Sequence, residues 1–132
     1  MPIEINLRAG GAECPASVAA VSGYYLPDVA AHLALGLEPP IMEAGERHKC
    51  VASTNIHIDL EGVLLECSDE HLDAQATKLV TCVLFKESVG KKHVPNNGSQ
   101  SCLGWIACGG NTLEEAEGNL QKALSQVSIR IK

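Results

Sequence analysis

The sequence predicts an α+β fold, an antiparallel or mixed sheet with packed helices, and three observations carry that prediction. Apolar and polar residues alternate with the period of a β-strand over residues 3–8 and again over residues 50–60. Helical spacing punctuated by stop signals runs through residues 15–36. Thr112-Leu113-Glu114-Glu115 has the form of a capping box and leads into an amphipathic run and a short alternating tail.

The opening strand carries the most chemistry. Ile3, Ile5 and Leu7 fall on one face, while Glu4, Asn6 and Arg8 fall on the other, just before Gly10-Gly11. A carboxylate beside an amide oxygen suits a hard cation such as Mg²⁺, which takes oxygen ligands and also binds substrate phosphates. The planar fork of Arg8 matches a phosphate or carboxylate. An amphipathic strand with a solvated polar face would show the same pattern.

Residues 15–36 read as two helices broken at Gly23, with Tyr24-Tyr25-Leu26-Pro27-Asp28 as the joint. Asp28 is predicted to cap the second helix and Gly36 to stop it. His32 reads as a surface or half-buried residue. Pro39-Pro40 ends this segment, and residues 43–49 form a polar connection.

Over residues 50–60, Cys50, Ala52, Thr54, Ile56, Ile58 and Leu60 share one face, and Val51, Ser53, Asn55, His57 and Asp59 the wet one. His57 and Asp59 read as a surface pair, since no nucleophile accompanies them. Glu61-Gly62 turns the chain into another strand, and Ser68 is predicted to cap a short helix through Asp69, Glu70 and Leu72. Residues 79–85 are apolar as in a central strand, and residues 87–101 form an exposed loop or wide hairpin. Residues 102–108 read as a buried strand turned by Gly109-Gly110. The helix after it is expected to bury Leu113, Ala116, Leu120, Ala123, Leu124 and Val127, and residues 128–131 close the chain as a strand. Gly109-Gly110-Asn111-Thr112 lacks the length and the Lys of a phosphate-binding loop, so a tight strand–helix turn accounts for it better.

Composition excludes several classes of function. With 132 residues the chain suits a single domain with a real core. A formal net charge of −6 argues against a nucleic-acid partner, and Lys91, Lys92 and His93 are too small a basic cluster to reverse that. No apolar run is long enough to span a bilayer, so no membrane partner is expected, and the first residues do not resemble a signal peptide. The 6 cysteines contain no Cys-x-x-Cys pair; Cys50, Cys82, Cys102 and Cys108 fall in apolar or strand-like runs and read as small buried hydrophobes in a reducing compartment, which points to the cytoplasm.

The order of these motifs resembles the ATP-grasp ligases. Glu4-x-Asn6-x-Arg8 with Gly10-Gly11 looks like the metal-binding strand near the end of their catalytic domain. The segment His32-Leu33-Ala34-Leu35-Gly36-Leu37-Glu38-Pro39 is similar to the helix that follows it. Residues 103–116 look like their C-terminal strand–turn–helix. The resemblance is nearest the amino-acid ligase branch, which includes carnosine synthase and bacterial dipeptide ligases.

The resemblance implies the C-terminal part of an ATP-grasp domain, with residues 1–40 ending the catalytic subdomain and 41–132 forming an α+β extension. It implies ATP and Mg²⁺ (or Mn²⁺) as cofactors, with Glu4 and Asn6 holding the metal that bridges the ATP phosphates. Arg8 would contact an acyl phosphate or its tetrahedral successor. The implied reaction activates a small carboxylate with ATP and joins it to an amine. The adenine pocket, phosphate-binding lysines and further acidic ligands of such enzymes lie upstream of this strand. The expected partner is therefore the upstream ATP-binding half of the same ligase, and the chain alone is expected to be inactive. The alternative is a non-catalytic α+β binding or scaffolding module derived from such a ligase.

Overall fold

A computed structural model describes residues 11–41, 47–95 and 102–132, so the strand expected over residues 3–8 lies outside the described residues. Helices α1 (Cys14–Ser22) and α2 (Leu26–Ala34) form as the sequence predicts. Each takes a proline in its first turn, where a missing N–H leaves no hydrogen bond unmade. Gly23 ends α1 with a left-handed backbone (φ 81°), a conformation that costs glycine little. Asp28 does not cap α2. Tyr25 holds the cap position, and Asp28 sits in the first turn, where its carboxylate faces the positive end of the helix. Past α2, the Leu37 N–H reaches back to the His32 carbonyl (2.9 Å), so the expected stop at Gly36 is made.

The rest of the chain forms β1 (Cys50–Ile56), β2 (Gly62–Ser68), β3 (Leu79–Leu84), β4 (Lys92–His93), β5 (Gly104–Gly110), α3 (Leu113–Leu124) and β6 (Ser128–Ile131). Among the described residues they make two three-stranded sheets, ordered β1-β5-β3 and β4-β2-β6, with every pairing antiparallel. The α+β class is as expected. The central strand is β5, however, and the apolar β3 lies at the edge of its sheet. Ile106, Ala107 and Cys108 of β5 are fully buried because α3 covers one side and the core fills the other.

That core runs between the two sheets and α3. Leu64 and Cys67 come from β2, Leu84 from β3, Ile106 and Cys108 from β5, and Leu120 and Ala123 from α3. The helix buries Ala116, Leu120 and Ala123 but, against expectation, leaves Leu113 55% exposed. The alternation predicted to Leu60 stops as a strand at Ile56. No helix follows Ser68. Its Oγ accepts from the Glu70 N–H (3.2 Å) and Asp73 Oδ1 from the Ala76 N–H (2.8 Å), so side chains satisfy those amides in turns instead. Gly109 and Gly110 lie within β5 and are buried; the turn comes at Asn111 and Thr112.

No disulfide joins the cysteines: all six are free, with Cys67 and Cys108 buried and Cys14 exposed. Burial pushes the thiols of Cys82 and Cys108 up to about 11. Among the described residues, no helix is long and apolar enough to cross a membrane.

Candidate functional site

Glu4, Asn6 and Arg8, the residues with the strongest chemical pattern, lie outside the described residues. The described chain begins just after them. Gly11 turns the chain into α1, with the Cys14 N–H donating to the Gly11 carbonyl (3.2 Å). Glu13 then reaches across to β1, where its Oε1 accepts from Ser53 Oγ (3.2 Å). The entry to α1 is thereby tied to the middle of an edge strand.

The far end of α1 is held by a second attachment. The His48 N–H donates to the Ala20 carbonyl (3.0 Å), and the next N–H, from Lys49, donates to the Gly110 carbonyl (3.0 Å). His48 is buried, and its ring lies against Gly109, where a Cβ would fall 2.1 Å from ring carbons. Only glycine permits that approach. Asn119 of α3 donates from Nδ2 to the Gly109 carbonyl on the same strand end (2.9 Å). Arg47 lies against Gly23, where a Cβ would be 2.8 Å from its guanidinium. Arg47 and His48 thus clasp α1, the joint after it and the end of β5. Sequence reading placed both in a polar connection, and nothing local could have paired them with glycines so distant in the chain.

The other polar groups singled out in the sequence have structural roles. His57 and Asp59 are both exposed. His32 is half-buried, with Nδ1 against the Asp28 carbonyl (2.8 Å). The basic cluster is split. His93 is buried with Nε2 at the Ile58 carbonyl (3.0 Å), while Lys92 pairs with Glu61 (2.6 Å) and holds its carboxyl below the usual range.

The turn before α3 is no phosphate cradle. Thr112 Oγ1 accepts from the Glu115 N–H (3.2 Å), and Glu115 Oε2 accepts from the Asn111 N–H (2.8 Å). The Glu115 amide is already taken by the cap side chain, and Glu114 and Glu115 put negative charge where an anion would sit. Among the described residues, no group of three or more His, Cys, Asp or Glu side chains could hold a metal ion.

Two antiparallel sheets carrying one packed helix, entered through a tethered helical pair, define an α+β body. No protein-family model matches the sequence, and no curated protein matches it. A solved structure does share the fold: the crystal structure of phosphoribosylglycinamide synthetase from Anaerococcus prevotii, at a TM-score of 0.76 over 95% of this chain. Sequence identity is 20%, so the likeness is one of fold. The chain spans 32% of the length of that synthetase.

Proposed function

We propose that this chain is the C-terminal portion of an ATP-dependent carboxylate–amine ligase that forms an amide or peptide bond through an acyl phosphate. The observation that carries this is the fold shared across 95% of the chain with a solved synthetase. The order of the sequence motifs supports the amino-acid ligase branch as the nearest relative.

In this function Glu4 and Asn6 would hold a Mg²⁺ ion through their oxygens, and Arg8 would contact the activated carboxylate. The metal, when bound, supplies neutralising charge to the ATP phosphates. Two protein oxygens suit the donor preference of Mg²⁺, and further oxygen ligands would be needed from elsewhere. Arg8 offers fixed donors to oxygens that gain negative charge as the amine attacks, which is worth most in a site closed to water. The tethers at Glu13 and His48 hold both ends of α1 to the sheet body.

The test is made in the complete ligase. Replacing Glu4 and Asn6 together by Ala should reduce ATP-dependent amide formation by roughly a hundredfold or more, a loss typical of removing groups that position transition-state charge, without changing the thermal melt. Activity within about twofold of the parent would overturn the assignment and favour a non-catalytic module.

A further inference from the structure

The basic cluster of residues 91–93 forms one wall of a cavity of about 290 Å³, which also takes in β2 and the residues leading into β5. Leu64 and Leu103, buried at 1% and 4% exposure, give it an apolar floor, while the exposed Lys91 and Lys92 stand at its rim. The wall is held by backbone bonds. The Leu64 N–H donates to the Lys91 carbonyl (3.1 Å), the Gly90 N–H to the Leu64 carbonyl (2.8 Å) and the Lys91 N–H to the Ser88 carbonyl (3.0 Å). His93, also lining the cavity and buried, is anchored by donation from Nε2 to the Ile58 carbonyl (3.0 Å). An apolar lining with a few fixed polar groups is the usual make-up of a ligand site, and this volume falls at the small end of the common range of about 300–1,000 Å³.

We propose that this cavity binds a small organic monoanion, a carboxylate carrying a short apolar tail. Charge selects the head group. The chain has a formal net charge of −6, yet among the described residues no carboxylate lines this cavity. Lys92 is neutralised by Glu61 (2.6 Å), whereas among the described residues the Lys91 ammonium makes no ion pair and the Ser88 hydroxyl no hydrogen bond. One ammonium and one hydroxyl can both donate to a single carboxylate, and hydrogen bonds to a charged group are the stronger kind. The floor selects the tail, because the side chains of Leu64 and Leu103 have no polar atom and favour whatever apolar surface leaves water against them. A free α-amino acid fits less well, since its ammonium would be repelled by Lys91. None of these residues belongs to the strand expected over residues 3–8, so the cavity is independent of the ligase function.

The experiment is a titration of the isotope-labelled chain with hexanoate, followed through its backbone amide NMR shifts. Hexanamide, which keeps the tail without the charge, and acetate, which keeps the charge without the tail, are the controls. The expected result is a saturable shift of the Ser88, Lys91 and Leu103 amides by hexanoate, with both controls binding at least about tenfold more weakly, as loss of a charged hydrogen bond or of several buried methylenes does. Lys91→Met keeps the side-chain stem and the backbone bonds. It should weaken hexanoate about tenfold and leave hexanamide and the melting temperature unchanged. Acetate binding as tightly as hexanoate would mean an adventitious ion only, and hexanamide binding as tightly would mean an apolar cavity without preference for an anion. Either result overturns the proposal. So do shifts that do not saturate or that leave these three amides unmoved, and so does an unchanged hexanoate affinity in Lys91→Met.

Discussion

Replacing Gly109 by Ala tests the clasp that holds α1. A methyl group at this position would lie 2.1 Å from Cγ and Cδ2 of His48 and 2.5 Å from Nδ1. Carbon atoms in contact sit about 3.5–4 Å apart, so the ring would have to retreat by more than about 1 Å. It is poorly placed to do so. His48 is 9% exposed, and the backbone on either side is bonded to the Ala20 and Gly110 carbonyls at 3.0 Å each.

Forcing extra volume into a packed site costs about 1–3 kcal/mol, and weakening one of those hydrogen bonds adds about 1 kcal/mol. Restricting the unfolded chain by losing a glycine returns about 0.4–1 kcal/mol. The expected net loss is about 2 kcal/mol, which for a domain of this size lowers the melting temperature by roughly 8 °C.

Gly118→Ala is the internal control. A Cβ there meets nothing within 4 Å, and the position lies inside α3. Alanine is the better helix former by about 0.8–1 kcal/mol, so this variant should be the more stable one. Urea unfolding followed by Trp105 fluorescence reports both, since Trp105 is the only tryptophan and packs edge-on against Phe85 with ring centroids 5.4 Å apart. A Gly109→Ala protein within about 0.5 kcal/mol of the parent would refute the steric reasoning.

Two further outcomes follow from the titratable groups. At pH 8 the thiols of Cys82 and Cys108, pushed up to about 11 by burial, are ionised in only about one molecule in a thousand. Iodoacetamide should therefore modify exposed Cys14 first; peptide mapping that finds Cys82 or Cys108 alkylated equally fast in the folded protein would contradict this burial. The second concerns Glu115, whose carboxyl is held below its ordinary 4.5 by the hydrogen bond from Lys78 (2.7 Å) and by the Asn111 N–H. Its contribution is present above about pH 4.5 and is lost as pH falls through the lower folded value. Glu115→Gln should flatten that part of the acid limb of the pH–stability curve, and an unchanged limb would count against the pairing.

Local rules were readable from the sequence where local forces decide. The capping box is one case, because Thr112 and Glu115 meet the helix start within a single turn. Even there the reciprocal bond goes to the Asn111 N–H, one residue before the cap. The stop at Gly36 and the break at Gly23 are similar, since only the backbone at those positions matters. Strand order was not readable. The run 79–85 looks more uniformly apolar than 104–110, yet β5 became central because α3 folds back onto it and its small residues admit the helix. Gly109 and Gly110 were expected to turn the chain, as flexible residues do. They serve instead as places of close approach, one beneath the His48 ring and one where a Cβ would lie 2.5 Å from the Ala116 nitrogen. Freedom and absence of bulk are the same property of glycine, and only the neighbours decide which is used.

The site divides along the same line. The alternation of Glu4, Asn6 and Arg8 with three apolar residues is a local pattern, and it was legible as chemistry before any neighbour was known. What fixes α1 after it is non-local. Glu13 meets Ser53, and the backbone of Ala20 meets that of His48, so both ends of α1 are fixed to the sheet body. The Glu13–Ser53 contact joins residues 40 apart in the chain, a separation at which no local pattern announces a partner.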